Sequence, residues 1–365
     1  MNRRTVLIGG AVLAAGAGAA AYLTMSGMGS TSGYTARVAH LRVPLGSPAH
    51  FRDLVRFATL APNGHNTQPW KFHVRDNVIR IHPDHSRRTP IVDPDDHHLF
   101  VSLGCAAENL SLASLARGRP GAISFDPADG GSLAFTPQAG PAISSALFDA
   151  IPRRQSTRAE YDGRQVSAAD LRTLAAASSI PGVDLVLLTD WPRMERLRDL
   201  VVAGNSAQMA DAAFMLELKS WLRFNPRQAF RTGDGLYSVA SGSPALPDWL
   251  GPRAFDWLVT AQHENDKYAR QIRSSSGIAV FVASREGPEH WAAVGQSCQR
   301  FALQATALGL KHAFINQPIE VAHLRPDLAS LVGLPGRRPD IVIRFGYGPT
   351  LPYSPRRPVD AVITV

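Results

Sequence analysis

Three stretches of this 365-residue chain bring together side chains that could do chemistry. The first is RRQSTR, in which Arg153, Arg154, Gln155, Ser156, Thr157 and Arg158 form a compact set of guanidinium forks and hydroxyls. Such a set can hold a phosphate through charge-assisted hydrogen bonds, although taken alone it reads more simply as a solvated basic turn. The second is APNGHNTQPWKF, from Ala61 to Phe72, where amide side chains and a glycine crowd the start of a strand. The third is SPRRPV near the C-terminus, where Arg356 and Arg357 could close on the same anion as the first stretch.

Two other candidates are set aside. His82, His85, Asp93, Asp95, Asp96, His97 and His98 are potential metal ligands, but their spacing matches no compact ligand motif and reads as a solvated loop. Cys105 and Cys298, the only cysteines, lie in apolar helical patterns and read as core residues. No metal is expected.

The composition is that of a globular chain with a substantial core, 45% apolar and 19% charged. The formal charge of +8 comes almost wholly from arginine, since Lys71, Lys219, Lys267 and Lys311 are the only lysines. No long basic block or aromatic-basic interleaving occurs, which argues against nucleic acid as a partner.

The first 28 residues differ in kind. Arg3 and Arg4 precede an uncharged apolar run from Val6 to Tyr22, the pattern of an export signal resembling the twin-arginine type. The run is nearly long enough to remain as a membrane anchor, while Ala19–Ala21 would permit cleavage. Either outcome places the protein outside the cytoplasm, periplasmic or membrane-anchored, with the twin-arginine machinery as its export partner. Residues 29–46, rich in Gly, Ser and Thr, read as a tether.

From Ser47, which can cap it, a helix is expected to carry Phe51, Leu54, Val55 and Ala58 on one face. Strands are expected at 70–74, 78–82, 122–125, 183–188, 278–283, 313–316 and 341–345, with a long helix over 98–117. Helices and strands mix without strict alternation, which favours an α+β fold with a mostly antiparallel or mixed sheet. Two internal matches stand out. GCAAENLSLASLARGRPGAI from Gly104 aligns without gaps on GQSCQRFALQATALGLKHAF from Gly295, and FRDLVRFATLAP from Phe51 aligns on LRTLAAASSIPG from Leu171. They occur in the same order, which points to a duplicated unit, 47–150 and 151–365. The polar loop at 62–68 occurs only in the first copy and the arginine stretch only ahead of the second.

Taken together, RRQSTRAEYDG, APNGHNTQPWKF, the helix–glycine–strand unit ending at Gly309 and the tail SPRRPVDAVITV resemble the nitroreductase superfamily of FMN-binding proteins. The resemblance covers most of the chain after about residue 45. In that family two subunits share each flavin site, one giving the arginine motif and the other the Asn-x-Gln-Pro-Trp loop. Here both lie in one chain, which resembles the duplicated, single-chain Acg-like branch. The resemblance implies a nitroreductase-like sandwich of two fused repeats, a monomeric pseudo-dimer with one composite site. By the same resemblance Arg154, Gln155 and Ser156, with Arg356, would hold the FMN phosphate. Arg158 would lie nearer the ring, where a cation stabilises negative charge on the reduced flavin. Pro62, Asn63, Gly64 and Asn66 would supply contacts across the internal interface, with Gln68 and Trp70 ordering the loop. His65 is not required, and no catalytic side chain is named, because hydride passes directly between donor, flavin and acceptor.

The implied activity is two-electron reduction of nitroaromatic, quinone or similar small-molecule acceptors, with NAD(P)H a possible donor. The competing reading is an exported protein that binds or sequesters FMN with little turnover. Residues 224–254, rich in Gly, Ser and Pro yet carrying Phe230, Leu236, Tyr237 and Trp249, read as a long loop that closes over the flavin as a lid.

Overall fold

The computed structural model describes residues 27–46 and 50–364. Most of the expected signal segment, and the Ser47 cap, lie outside the described residues. Among those described, no helix is long and apolar enough to cross a membrane.

Two mainly antiparallel sheets carry the architecture. The first contains β1 (Trp70–Arg75), β2 (Val78–Pro83), β3 (Gly121–Asp126) and β4 (Ser132–Pro137), in the order β1-β2-β4-β3. The second contains β5 (Val183–Leu188), β8 (Gly277–Ala283), β9 (Lys311–Phe314) and β10 (Ile341–Gly346), in the order β5-β8-β10-β9. Each sheet is therefore laid down in the same sequence. A helix, α2 (Phe51–Ala58) or α5 (Ala168–Ala177), precedes the first strand, and a long helix, α3 (His97–Leu115) or α11 (Pro288–Ala307), separates the second strand from the third.

Burial of the two sheets explains their different sequences. In β1 and β2 burial alternates, the signature of a sheet with one covered face, whereas β8 and β10 are buried at every residue. The first face of the second sheet joins one continuous core with α3, α11 and the first sheet, through Phe281, Phe301 and Phe345 among others. Its other face, with Ile278, Val280 and Val282, is covered by α6 (Trp191–Ala210) through Met194, Leu197 and Val201.

At the centre α3 and α11 pack closely because each offers a glycine to the other. A Cβ at Gly104 would overlap the carbonyl oxygen of Ala292, and one at Gly295 would overlap that of Val101. The same register pairs Gln299 Nε2 with Asn109 Oδ1 at 2.6 Å and Arg300 Nη1 with Glu108 Oε1 at 3.2 Å. Numbered along the internal alignment, these contacts are reciprocal: residue 101 corresponds to 292, 104 to 295, 108 to 299 and 109 to 300. Cys105 and Cys298 are both free and buried here, as expected of core residues.

Several expectations are corrected. Residues 29–46 are not an unstructured tether: Thr31–His40 form a helix, α1, because the Ser30 side chain caps it and Tyr34 and Val38 bury against Ala229, Tyr237 and Ala240. The segment 224–254 is not a plain loop. It contains α8 (Pro226–Thr232), capped by Asn225, and β7 (Leu236–Tyr237), which pairs in parallel with β6 (Leu222–Arg223). The C-terminal tail leaves the second sheet and adds β11 (Ile363–Thr364) in parallel to β1 of the first, which sequence periodicity over two residues could not reveal.

Candidate functional site

The loop between α2 and β1 is shaped by its backbone. His65, Asn66 and Gln68 all adopt positive φ, at 46°, 55° and 55°, a conformation costly for side-chain-bearing residues and one that asparagine tolerates better than most. The surroundings hold it there. Gln68, fully buried, donates from Nε2 to the Gly233 carbonyl at 2.9 Å and accepts from the Arg357 amide at 2.9 Å. The Asn63 side chain accepts from the Gln68 amide at 2.8 Å. The result pushes Pro62, Asn63, Gly64 and His65 out onto the wall of a cavity of about 840 Å³.

Arg158 stands on another wall of that cavity. Its turn is gripped by its carbonyl oxygens: Gln271 donates to the Arg158 carbonyl at 2.8 Å, and the buried Arg344 donates to those of Thr157 and Ala159 at 3.3 and 2.8 Å. The Thr157 amide donates to the His312 carbonyl at 2.8 Å, tying the turn to β9. The Arg158 guanidinium is left facing the cavity. Burial lowers its pKa and the hydroxyls of Tyr268 and Tyr161 oppose that fall, with no carboxylate contributing. The cavity thus unites Pro62, Asn63 and Gly64 with Arg158.

The other expected phosphate ligands lie off the cavity wall. Arg356 is buried and its N–H groups are all spent: Nε on the Thr59 carbonyl, Nη1 on Asn66 Oδ1 and the Pro355 carbonyl, Nη2 on the carbonyls of Leu60 and Ala61. Its acceptors at Thr59, Leu60 and Ala61 belong to the turn that follows α2, so it contributes charge but has no hydrogen bond left to offer an anion. Its expected role as a phosphate ligand rests on the resemblance alone. Asn66 likewise has both amide hydrogens committed, to the Gly235 and Pro355 carbonyls at 2.9 and 3.1 Å; it pins loop, insertion and tail rather than reaching a ligand. Gln155 exchanges two hydrogen bonds with the Leu351 backbone, at 2.7 and 2.9 Å, and fixes the tail. Ser156 forms a backbone bridge to His312.

Arg154 differs from these. It donates from Nη2 to the Leu60 carbonyl at 3.0 Å, yet its Nε and Nη1 are buried with no partner. Burial lowers its pKa to about 10, and no carboxylate stands close enough to restore it. Burial lowers the pKa of Arg356 and of Arg42 nearby, and the Arg154 charge lowers both further. A buried guanidinium with two empty donors beside like charges is costly unless an anion completes it.

Sequence reasoning missed much of the rest of the cavity. Tyr268, Gln317 and Glu320 line it from the second half, and His98 from the start of α3; the first three belong to no motif, and His98 stands in the sequence only among the metal candidates set aside. Burial pushes His65 down to about 4, helped by Arg158, and His98 down to about 4, helped by His97, while it raises Glu320. Both imidazoles are neutral at pH 7. The apolar part of the wall comes from Phe214, Leu218, Phe224, Leu236 and Phe255, so the insertion does form one side of the cavity.

Asp93, His97 and His98 lie within 4.8 Å of one another, and Asp93 and His97 are buried rather than solvated as expected. Their packing has a structural cause. The Asp93 carboxylate accepts from the His98 and Leu99 amides, both at 2.9 Å, at the N-terminus of α3, and His97 Nε2 lies 2.8 Å from Asp340 Oδ1. The positive end of the helix opposes a cation there.

No protein-family model matches the chain. Two Mycobacterium tuberculosis proteins are similar in sequence. One, provisionally named NAD(P)H nitroreductase Rv3131, is 26% identical over 327 residues, covering 86% of this chain and 90% of that protein. The other, provisionally named NAD(P)H nitroreductase acg, is 25% identical over 329 residues, covering 86% and 95%. Among solved structures, a Desulfitobacterium hafniense nitroreductase with bound FMN overlaps 61% of this chain and 99% of its own, at 14% identity and a TM-score of 0.38. The chain is thus an α+β protein similar, along most of its length, to proteins named as NAD(P)H nitroreductases.

Proposed function

We propose that the protein is an FMN-dependent oxidoreductase that reduces nitroaromatic, quinone or similar acceptors, with NAD(P)H as donor. The observation that carries this reading is the meeting, across one cavity, of the polar loop from the first half and Arg158 from the second, with two guanidinium nitrogens of Arg154, four residues earlier in the same turn, buried and unpartnered. A cavity of about 840 Å³ with an apolar wall and a few placed polar groups suits a cofactor and a small substrate. Bound there, FMN would supply two-electron chemistry. The chain's own residues would position and tune it: Arg154 gives the phosphate its charge-assisted bonds, Arg158 offers positive charge at the cavity wall, and Pro62–Gly64 approach from the opposite half. His65, neutral at pH 7, adds a hydrogen-bonding edge without charge.

We further propose that the chain is a fused pseudo-dimer, monomeric in solution, with one surviving site. The matching strand orders and the reciprocal contacts between α3 and α11 support it. Export by the twin-arginine route, to the periplasm or the outer side of a membrane, is proposed from the N-terminal sequence alone. One observation favours the second reading, flavin storage: the insertion at 224–254 contributes Phe224, Leu236, Ser241 and Leu246 to the cavity wall.

The two readings separate in one experiment. The purified protein should show a flavin absorption band, and anaerobic NADPH should bleach it. A yellow protein that stays oxidised would favour storage; a colourless protein unable to take up FMN would exclude both.

A further inference from the structure

The cavity rim carries an apolar surface that the fold leaves uncovered. Trp257 and Leu258, at the end of α9 (Gly251–Leu258), are 71% and 70% exposed; Leu216, on α7 (Ala212–Ser220), is 70% exposed and Trp249 is 59% exposed. These are the four most exposed large apolar residues among those described. Leu258 also lines the cavity, so the patch borders its mouth. A Lys219–Asp256 ion pair at 2.6 Å joins α7 to α9, so the four side chains sit on linked elements.

The first turn of α8 connects this patch to the point where the chain emerges from its N-terminal segment. Asn225 donates to the Leu246 carbonyl and to Asp248, at 3.0 and 2.5 Å, next to Trp249. Two residues later, the Arg227 amide donates to the Met28 carbonyl at 2.8 Å, and its guanidinium to that of Gly27 at 3.4 Å. Just upstream of Gly27 lies the uncharged run from Val6 to Tyr22. Arg227, Arg231 and Arg253 are exposed in the same region. Exposed tryptophans and leucines bordered by arginines, beside a segment of nearly membrane-spanning length, match the composition that settles at a phospholipid interface.

We propose that the face formed by α7, α9 and the Trp249 segment docks on a phospholipid bilayer, held there by the chain's own N-terminal run. The cavity mouth then opens toward lipid. Resting on the flavin reading above, the acceptor is an apolar ring compound dissolved in that lipid. In such a turnover NAD(P)H loses a hydride, and a quinone gains those two electrons and two protons, one of them from solvent, to become the quinol.

The test uses the full chain in vesicles of phosphatidylcholine and phosphatidylglycerol carrying lipids brominated near the headgroup. Two of the six tryptophans lie on the patch, so bromination should quench about a third of the emission. That quenching should vanish in a Trp249→Phe, Trp257→Phe variant and persist in Trp191→Phe. Equal quenching in the first variant and the wild type would overturn the docking, as would a patch shielded in a dimer that lipid does not quench. Separately, with NADPH supplied, Leu216→Glu, Trp257→Glu should lose reduction of a long-tailed quinone in the vesicle while retaining reduction of the same ring without its tail. Equal loss of both would overturn lipid-side access. Reduction of neither quinone by the wild type would refute the flavin reading and with it the acceptor class, while the quenching result still decides the docking.

Discussion

At the residue scale, the site rests on which arginines have hydrogen bonds to give. Arg356 has none left and Arg154 has two, although the sequence places both in similar basic stretches. Arg154→Ala should therefore weaken FMN binding by about 10- to 100-fold, the value of a charge-assisted hydrogen bond or two, measured by fluorescence titration of the apoprotein. Arg356→Ala should act first on stability, because it strips the carbonyls of the Thr59–Ala61 turn of their partner. At Arg158 the expected effect is on potential: Arg158→Ala should lower the midpoint of the bound flavin by about 30 mV or more, equivalent to ~1.4 kcal/mol for a two-electron couple, and Arg158→Lys should recover part of it. The motif residues were legible from the sequence, but their division of labour was not, since it depends on which backbone carbonyls the fold brings within reach.

At the element scale, the contact between α3 and α11 decides how the two halves meet. Gly295→Ala improves helix propensity by about 1 kcal/mol yet drives a methyl into the Val101 carbonyl, so it should destabilise by about 2 kcal/mol or more in urea denaturation. Glu108, buried in the same contact, is raised to about 7 by burial, against the opposing pull of Arg300. Its folded pKa exceeds the unfolded value near 4.5, so the folded state holds the extra proton and stability is lost as pH rises from about 4.5 through 7. Glu108→Gln should therefore gain stability relative to the wild type between pH 5 and pH 8, read from denaturation midpoints at the two pH values. The strong elements of this architecture were visible in sequence: β1, β2, β3, β5, β8 and β10 fall within a residue of their expected positions and α3 within two, because their apolar patterns are long. The tail strand β11 and the helix α1 were not, because one is two residues long and the other relies on contacts with α8 and β7 some 200 residues away.

At the scale of the whole molecule, the two sheets share one order of strands, but only one half keeps the polar loop and only the other keeps the arginine turn. On the proposed fusion, such a chain carries one composite site where two identical subunits would form two. The tail crossing to pair with β1 ties the halves further, by bringing Arg356 and Arg357 onto the loop of the first half. The insertion at 224–254, which the sequence marked as a lid, is partly helical and serves as a wall; Gly, Ser and Pro content signalled irregularity but not the short β6–β7 pairing that stiffens it. The most direct measurement of the central claim is the stoichiometry of FMN on the monomer, by absorbance and calorimetry combined with mass from light scattering. One flavin per 365-residue chain, held about 10- to 100-fold more weakly in Arg154→Ala, is the expected result; two flavins per chain, or none under any condition of reconstitution, would contradict the composite site.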